Sequence, residues 1–145
     1  MKHQSPEQLR EAAAIVAASS IKTMTRRQRL DRWADLLSAH GGPLEALRQI
    51  EYLPDAERRA YRGDNTPLNV AYRDPVLRGD GLAGDTLGDA MDYFEMNADD
   101  AHHLLCDCHY MGSLTGHRLA SRLRRYADGG SVVAWARNVF AGQPG

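Results

Sequence analysis

Both cysteines of the chain, Cys106 and Cys108, and four of its six histidines, His102, His103, His109 and His117, fall within residues 102–117. Sulfur and imidazole nitrogen are the soft and borderline donors that zinc and its neighbours prefer, so the sequence points here to chemistry beyond folding. Asn97, with Asp99 and Asp100 behind it, has the form of a helix start, a capping amide followed by acids in the first turn. The spacing predicts a helix from 98 to about 109, and a rotation of about 100° per residue sorts the cluster into faces. Ala101, Leu104, Leu105 and Cys108 form the apolar stripe, which makes Cys108 a small core residue. Asp100, His103 and Asp107 face water. His102, Cys106 and His109 share a third face at i, i+4 and i+7. With His117 from the next helix they are the candidate metal ligands, and zinc is the alternative to a protein without cofactors.

The pattern favours packing over that alternative, with imidazoles and a thiol at a helix boundary hydrogen-bonded to nearby carboxylates. The spacing matches no standard zinc module, and a Cys-x-Cys pair inside a helix points its sulfurs to different sides. Cys106 as a nucleophile lacks an oxyanion hole or a strained turn, and Asp99, Asp100 and Asp107 would repel a thiolate. The chain also has no phosphate loop, dinucleotide fingerprint or nucleophile elbow. No residue is nominated as catalytic, and the reading leans away from an enzyme.

The elements that must position these residues read as helices throughout, with a period of 3.6 and none of 2. Ser5-Pro6-Glu7 starts one that runs to about residue 21. Thr25 with Gln28 makes a capping box ahead of Leu30, Trp33, Ala34 and Leu37, and Gly41-Gly42 stops that helix. Pro43 opens another with Leu44, Leu47 and Ile50 inward, and Thr66-Pro67 starts one that Asp74-Pro75 ends. Asp85 caps a helix bearing Leu87, Ala90, Met91 and Phe94. Thr115 opens one carrying Leu119, Leu123 and Tyr126, and a last helix spans 131–140. The fold class expected is all-α, a compact bundle of about seven short helices. Residues 1–145 form one domain, with 1–23 and 131–145 as peripheral or partner-packing segments.

Within this string Met91, Phe94, Met96, Ala101 and Leu104 occupy apolar positions, and Asn97 caps the second of two helices. The stretch near 86–108 resembles the bihelical part of a helix-turn-helix. Glu95 stands where that motif usually has glycine, and the second helix begins Ala98-Asp99-Asp100, whose carboxylates would meet phosphates. The resemblance implies a packing shape and no reading of DNA.

Composition sets the remaining bounds. The chain of 145 residues is 43% hydrophobic and 26% charged, an ordinary globular balance with core enough to fold without staples. Sixteen of the 18 basic residues are arginine, and the Ala, Gly and Asp content fits a GC-rich, bacterial source. Ala12–Ala18 sits behind Glu7 and Glu11 and reads as an amphipathic helix, neither leader nor membrane span. Two cysteines one residue apart make a poor structural disulfide, which favours a reducing, cytoplasmic location.

Charge is segregated: 11 basic and 8 acidic residues over 1–63, 2 and 10 over 64–109, 5 and 1 over 110–145. Such blocks can be complementary within the fold or between copies. Arg26, Arg27, Arg29 and Arg32 crowd a helix start, where the dipole disfavours them, so they are candidate partner-binding residues. Trp135 and Phe140 are candidate aromatic anchors on the last helix. The function expected is that of a cytoplasmic interaction or regulatory module whose partner is a protein, including a second copy as a homodimer, with no membrane partner. Two alternatives stand beside it: a metal-binding protein centred on His102, Cys106 and His109, and a nucleic-acid-associated regulator using the basic 22–32 segment. The overall pI of about 6.6 weighs against the latter.

Overall fold

Thr25 opens the first helix with a reciprocal cap. Its hydroxyl accepts from the Gln28 amide at 3.1 Å, and the Gln28 side chain accepts from the Thr25 amide at 2.9 Å. Two N–H groups that would otherwise lack partners are satisfied, and helix α1, Arg26–Ala39, follows. The structure is a computed structural model describing residues 23–48, 50–62, 65–110 and 114–129. The helices expected at 6–21 and 131–140, and with them Trp135 and Phe140, lie outside the described residues.

Leu30, Trp33, Ala34 and Leu37 on α1 are fully buried, as the stripe predicts. The helix expected from Pro43 does not form. Pro43–Leu44 is instead a short strand, β1, paired antiparallel with β2, Leu114–Thr115, in the register Pro43↔Thr115 and Leu44↔Leu114. Leu44, Leu47 and Ile50 are still buried, but they reach the core from a run that ends in a 3₁₀ turn, Ile50–Tyr52. Distant backbone supplies the partners a helix would have given. The Leu47 amide donates to Leu105 O at 2.8 Å, and Leu47 O accepts from the Asp107 amide at 2.9 Å.

Helix α2 is Asp55–Arg59, and Thr66 caps α3, Pro67–Tyr72, through its hydroxyl. Asp74 both follows α3 and caps α4, Pro75–Gly79, so the Asp-Pro pair starts a helix as well as ending one. Thr86, one residue after the expected Asp85, caps α5, Leu87–Phe94. Asn97 caps α6, Ala98–Leu105, and α7 spans Gly116–Gly129. Seven helices and one two-residue ribbon make the described residues an all-α fold. No helix among them is long and apolar enough to cross a membrane.

The long helices α1 and α7 pack along one another. Their approach is so close that a Cβ on Gly116 would sit 1.9 Å from the Leu37 carbonyl oxygen. Trp33 stacks on Phe94 with centroids 4.3 Å apart and donates its indole N–H to Pro67 O at 3.0 Å. The apolar residues of the α5–α6 hairpin, Met91, Phe94, Met96, Ala101 and Leu104, are all buried. Glu95 makes the turn between them in the left-handed region, φ 56° and ψ 55°, where that hairpin type ordinarily has glycine.

Candidate functional site

Helix α6 stops earlier than its sequence pattern suggests, and the early stop rearranges the cluster. The last helical hydrogen bond runs from the Cys106 amide to His102 O at 2.9 Å. Cys106 then turns extended, φ −79° and ψ 140°, because the paired Leu47 backbone draws residues 105–107 alongside it in a parallel bridge. A 3₁₀ turn follows, Asp107–His109. Buried Tyr110 fastens its far end: the phenol donates to Leu104 O, and the Arg122 guanidinium, 4.2 Å from the ring centroid, donates to His109 O at 3.1 Å. Burial pushes the Tyr110 phenol up from its ordinary pKa against the pull of Arg122 and Arg118, so it stays a neutral donor.

The consequence for the two thiols reverses the helical expectation. Cys106 is fully buried in the core and Cys108 is exposed. The sulfurs, which a continuous helix would hold apart, lie 3.4 Å from each other. Cys106 also donates weakly to Asp107 Oδ1 at 3.7 Å. Asp100, expected to face water, is buried and accepts from the Tyr126 hydroxyl at 3.0 Å.

Cys108 now shares a site with two half-buried histidines, His102 from the end of α6 and His109 from the 3₁₀ turn. Their ligand atoms all lie within 4.8 Å of one another. Sγ of Cys108 is 3.6 Å from Nε2 of His102, and Nε2 of His109 is 3.0 Å from Nδ1 of His102. Bonds of about 2.0–2.1 Å to nitrogen and about 2.3 Å to sulfur give a tetrahedron whose nitrogen–sulfur edge is close to 3.6 Å. One edge of the group therefore already has metal-site length. His103 stacks on His109 with centroids 4.2 Å apart, and its Nδ1 lies 2.9 Å from Asp99 O, which fixes both rings. His117 is exposed at the start of α7 and does not belong to the group.

The arginines nominated for partner binding are engaged within the fold. Arg29 is only 6% exposed. Its Nε donates to Asp80 Oδ2 at 3.1 Å, and its Nη1 donates to Tyr93 O at 3.1 Å and to Glu95 Oε2 at 3.3 Å. Arg32 forks onto Asp74 at 3.0 and 2.8 Å, and the bond holds that carboxyl below its ordinary pKa despite burial. Arg27 reaches Asp128 and Asp31, and Arg26 lies over the Tyr126 ring at 4.6 Å. Arg29 and Arg32 thus meet Asp74, Asp80 and Glu95 of the acidic middle inside one molecule, which is the intramolecular version of the expected complementarity. A signal for Arg29 existed in the sequence: it stands one turn before Trp33, on the stripe the core claims.

The acids Asp85, Asp89 and Asp92 are each engaged within the fold. Asp92 accepts from Arg59 at 2.8 and 2.9 Å, Asp89 accepts from Thr86, and Asp85 lies 3.8 Å from Arg62.

No family model, curated protein or solved structure matches the chain.

Proposed function

We propose that the protein binds a transition-metal ion of the zinc class through His102, Cys108 and His109. The observation that carries this reading is the convergence of one sulfur and two imidazoles within 4.8 Å on a turn fastened at both ends. A nitrogen- and sulfur-rich set selects zinc or a soft neighbour such as copper(I) over magnesium or calcium. Three protein donors leave a fourth position for water or an incoming ligand, on a site whose sulfur is exposed. The role is that of a regulatory or interaction module in which the ion seats on an already fastened turn. Cys108, not Cys106, supplies the sulfur, and His117 stands apart from the three donors.

Direct measurement decides it. Reduced protein is titrated with zinc and dialysed, then its metal content and unfolding are compared with His102→Ala, His109→Ala and Cys108→Ser. The expected result is one zinc per chain and a raised melting temperature in the wild type, both lost in each variant. Zinc at 100 times its dissociation constant adds about 2.7 kcal/mol of stability. A wild type without bound zinc, or variants that retain it, overturns the reading.

A further inference from the structure

We propose that Cys106 and Cys108 form a redox-active dithiol, and that its oxidation to a disulfide removes the sulfur ligand and releases the metal. The metal half of this rests on the reading of His102, Cys108 and His109 as the ion's ligands; the dithiol half stands on its own geometry.

Three observations carry it. The sulfurs are 3.4 Å apart, in contact with one another, against roughly 2.05 Å in a disulfide bond. The backbone at Cys106 is extended, so the two Cβ atoms are freed from the divergence a helix imposes at i, i+2. The pair is also unequal in the way such couples require, with Cys108 exposed to an oxidant and Cys106 buried behind it. The buried thiol has no place in the three-donor group, yet the fold holds it against that group's sulfur. A reversible disulfide is also the kind that a reducing compartment permits.

The oxidant is a hydroperoxide, and the atoms balance in two steps. The Cys108 sulfur attacks the outer peroxide oxygen, the O–O bond breaks, and the alcohol or water leaves with the Cys108 proton in the metal-free protein, or with a proton from solvent where zinc has displaced it, giving a sulfenic acid. The Cys106 sulfur then attacks Sγ of Cys108, the S–S bond forms, the S–O bond breaks, and hydroxide departs with the Cys106 proton as water. Two thiols are oxidised by two electrons and one peroxide is reduced. A sulfur in the disulfide no longer has the thiolate charge a metal ligand needs, so zinc is left with two imidazoles and dissociates.

The experiment uses the full chain, zinc-loaded and metal-free, treated with hydrogen peroxide and then with dithiothreitol. Intact mass, alkylation and a chromophoric zinc chelator report on each step. The expected result is loss of two hydrogens, loss of both alkylatable thiols, release of the whole bound zinc, and recovery of all three on reduction. Cys106→Ser and Cys106→Ala keep their zinc when reduced, form no intramolecular disulfide, and trap the sulfenic acid, which a dimedone adduct reveals at Cys108. The two halves fail separately. Metal-free protein that keeps two alkylatable thiols, or crosslinks only between chains, overturns the dithiol. Reduced protein that takes up no zinc overturns the metal site while the mass change still tests the dithiol. Zinc retained by protein bearing the disulfide overturns the coupling between them.

Discussion

The Tyr93 hydroxyl donates a 2.6 Å hydrogen bond to Oδ2 of Asp80 in the interior. The same carboxylate accepts from Arg29 through Oδ2, and from Thr23 N, Thr23 Oγ1 and Met24 N through Oδ1. One buried acid thus ties α4, α5 and the lead-in to α1 together.

That carboxylate makes stability depend on acid. Burial disfavours its charge, but the donors from Tyr93, Met24 and Thr23 outweigh burial and lower its pKa from 3.8 to about 2. A folded pKa below the unfolded one gives stabilisation that is complete above the unfolded value and lost as pH falls toward 2. The contribution is about 2 kcal/mol. Tyr93→Phe costs about 1–2 kcal/mol near neutral pH by removing one donor, and it moves the acid midpoint to higher pH. Urea unfolding across the acid range checks both, and an unshifted acid midpoint contradicts the assignment.

Gly116 sets the approach of α7 to α1. Gly116→Ala drives a methyl group into the Leu37 carbonyl, where backbone and not a flexible side chain stands in the way. The expected loss is about 2–3 kcal/mol. Gly129→Ala, with nothing within 4 Å of the added carbon, is the control and leaves the melting temperature unchanged or raised. Equal effects of the two substitutions would contradict the packing described.

Glu95 occupies a left-handed turn at φ 56°. Glu95→Gly and Glu95→Ala both forfeit the contact with Arg29, so their difference isolates the backbone. The glycine variant is expected to be the more stable by about 1 kcal/mol. Paired denaturant melts measure it, and an alanine variant at least as stable as the glycine variant would show that the turn carries no strain.

His117 separates the two versions of the metal site. His117→Ala is expected to bind zinc as the wild type does, while His102→Ala does not. Calorimetric titration of the two proteins makes the comparison, and a loss of affinity in the His117 variant would return that residue to the site.

Capped helices were the legible part of the sequence. Thr25, Thr66 and Asn97 each cap where local chemistry puts them, and Leu30, Trp33, Leu104 and Leu119 are buried where the 3.6 period places them. The illegible part depends on contacts distant in the chain. Nothing between 98 and 109 breaks a helix; the stop at Cys106 comes from the backbone of Leu47, fifty-nine residues away. That one pairing decides which cysteine is buried and which joins the histidines. Pro43 and Leu44 likewise read as a helix start until residues 114 and 115 are there to pair with them. Asp100 reads as a solvated first-turn acid because Tyr126 lies on another helix.

The bridge from Leu47 to residues 105–107 has one more consequence. It places the donor turn and the β ribbon segment in a single cooperative unit, since the Leu47 and Asp107 amides give up their bonds in the same opening event. An ion seated on His102, Cys108 and His109 would then slow hydrogen exchange at Leu47, far from the ligands in sequence, as much as at Asp107. The Leu47 amide is thereby a gauge of what happens at the turn that exposes Cys108.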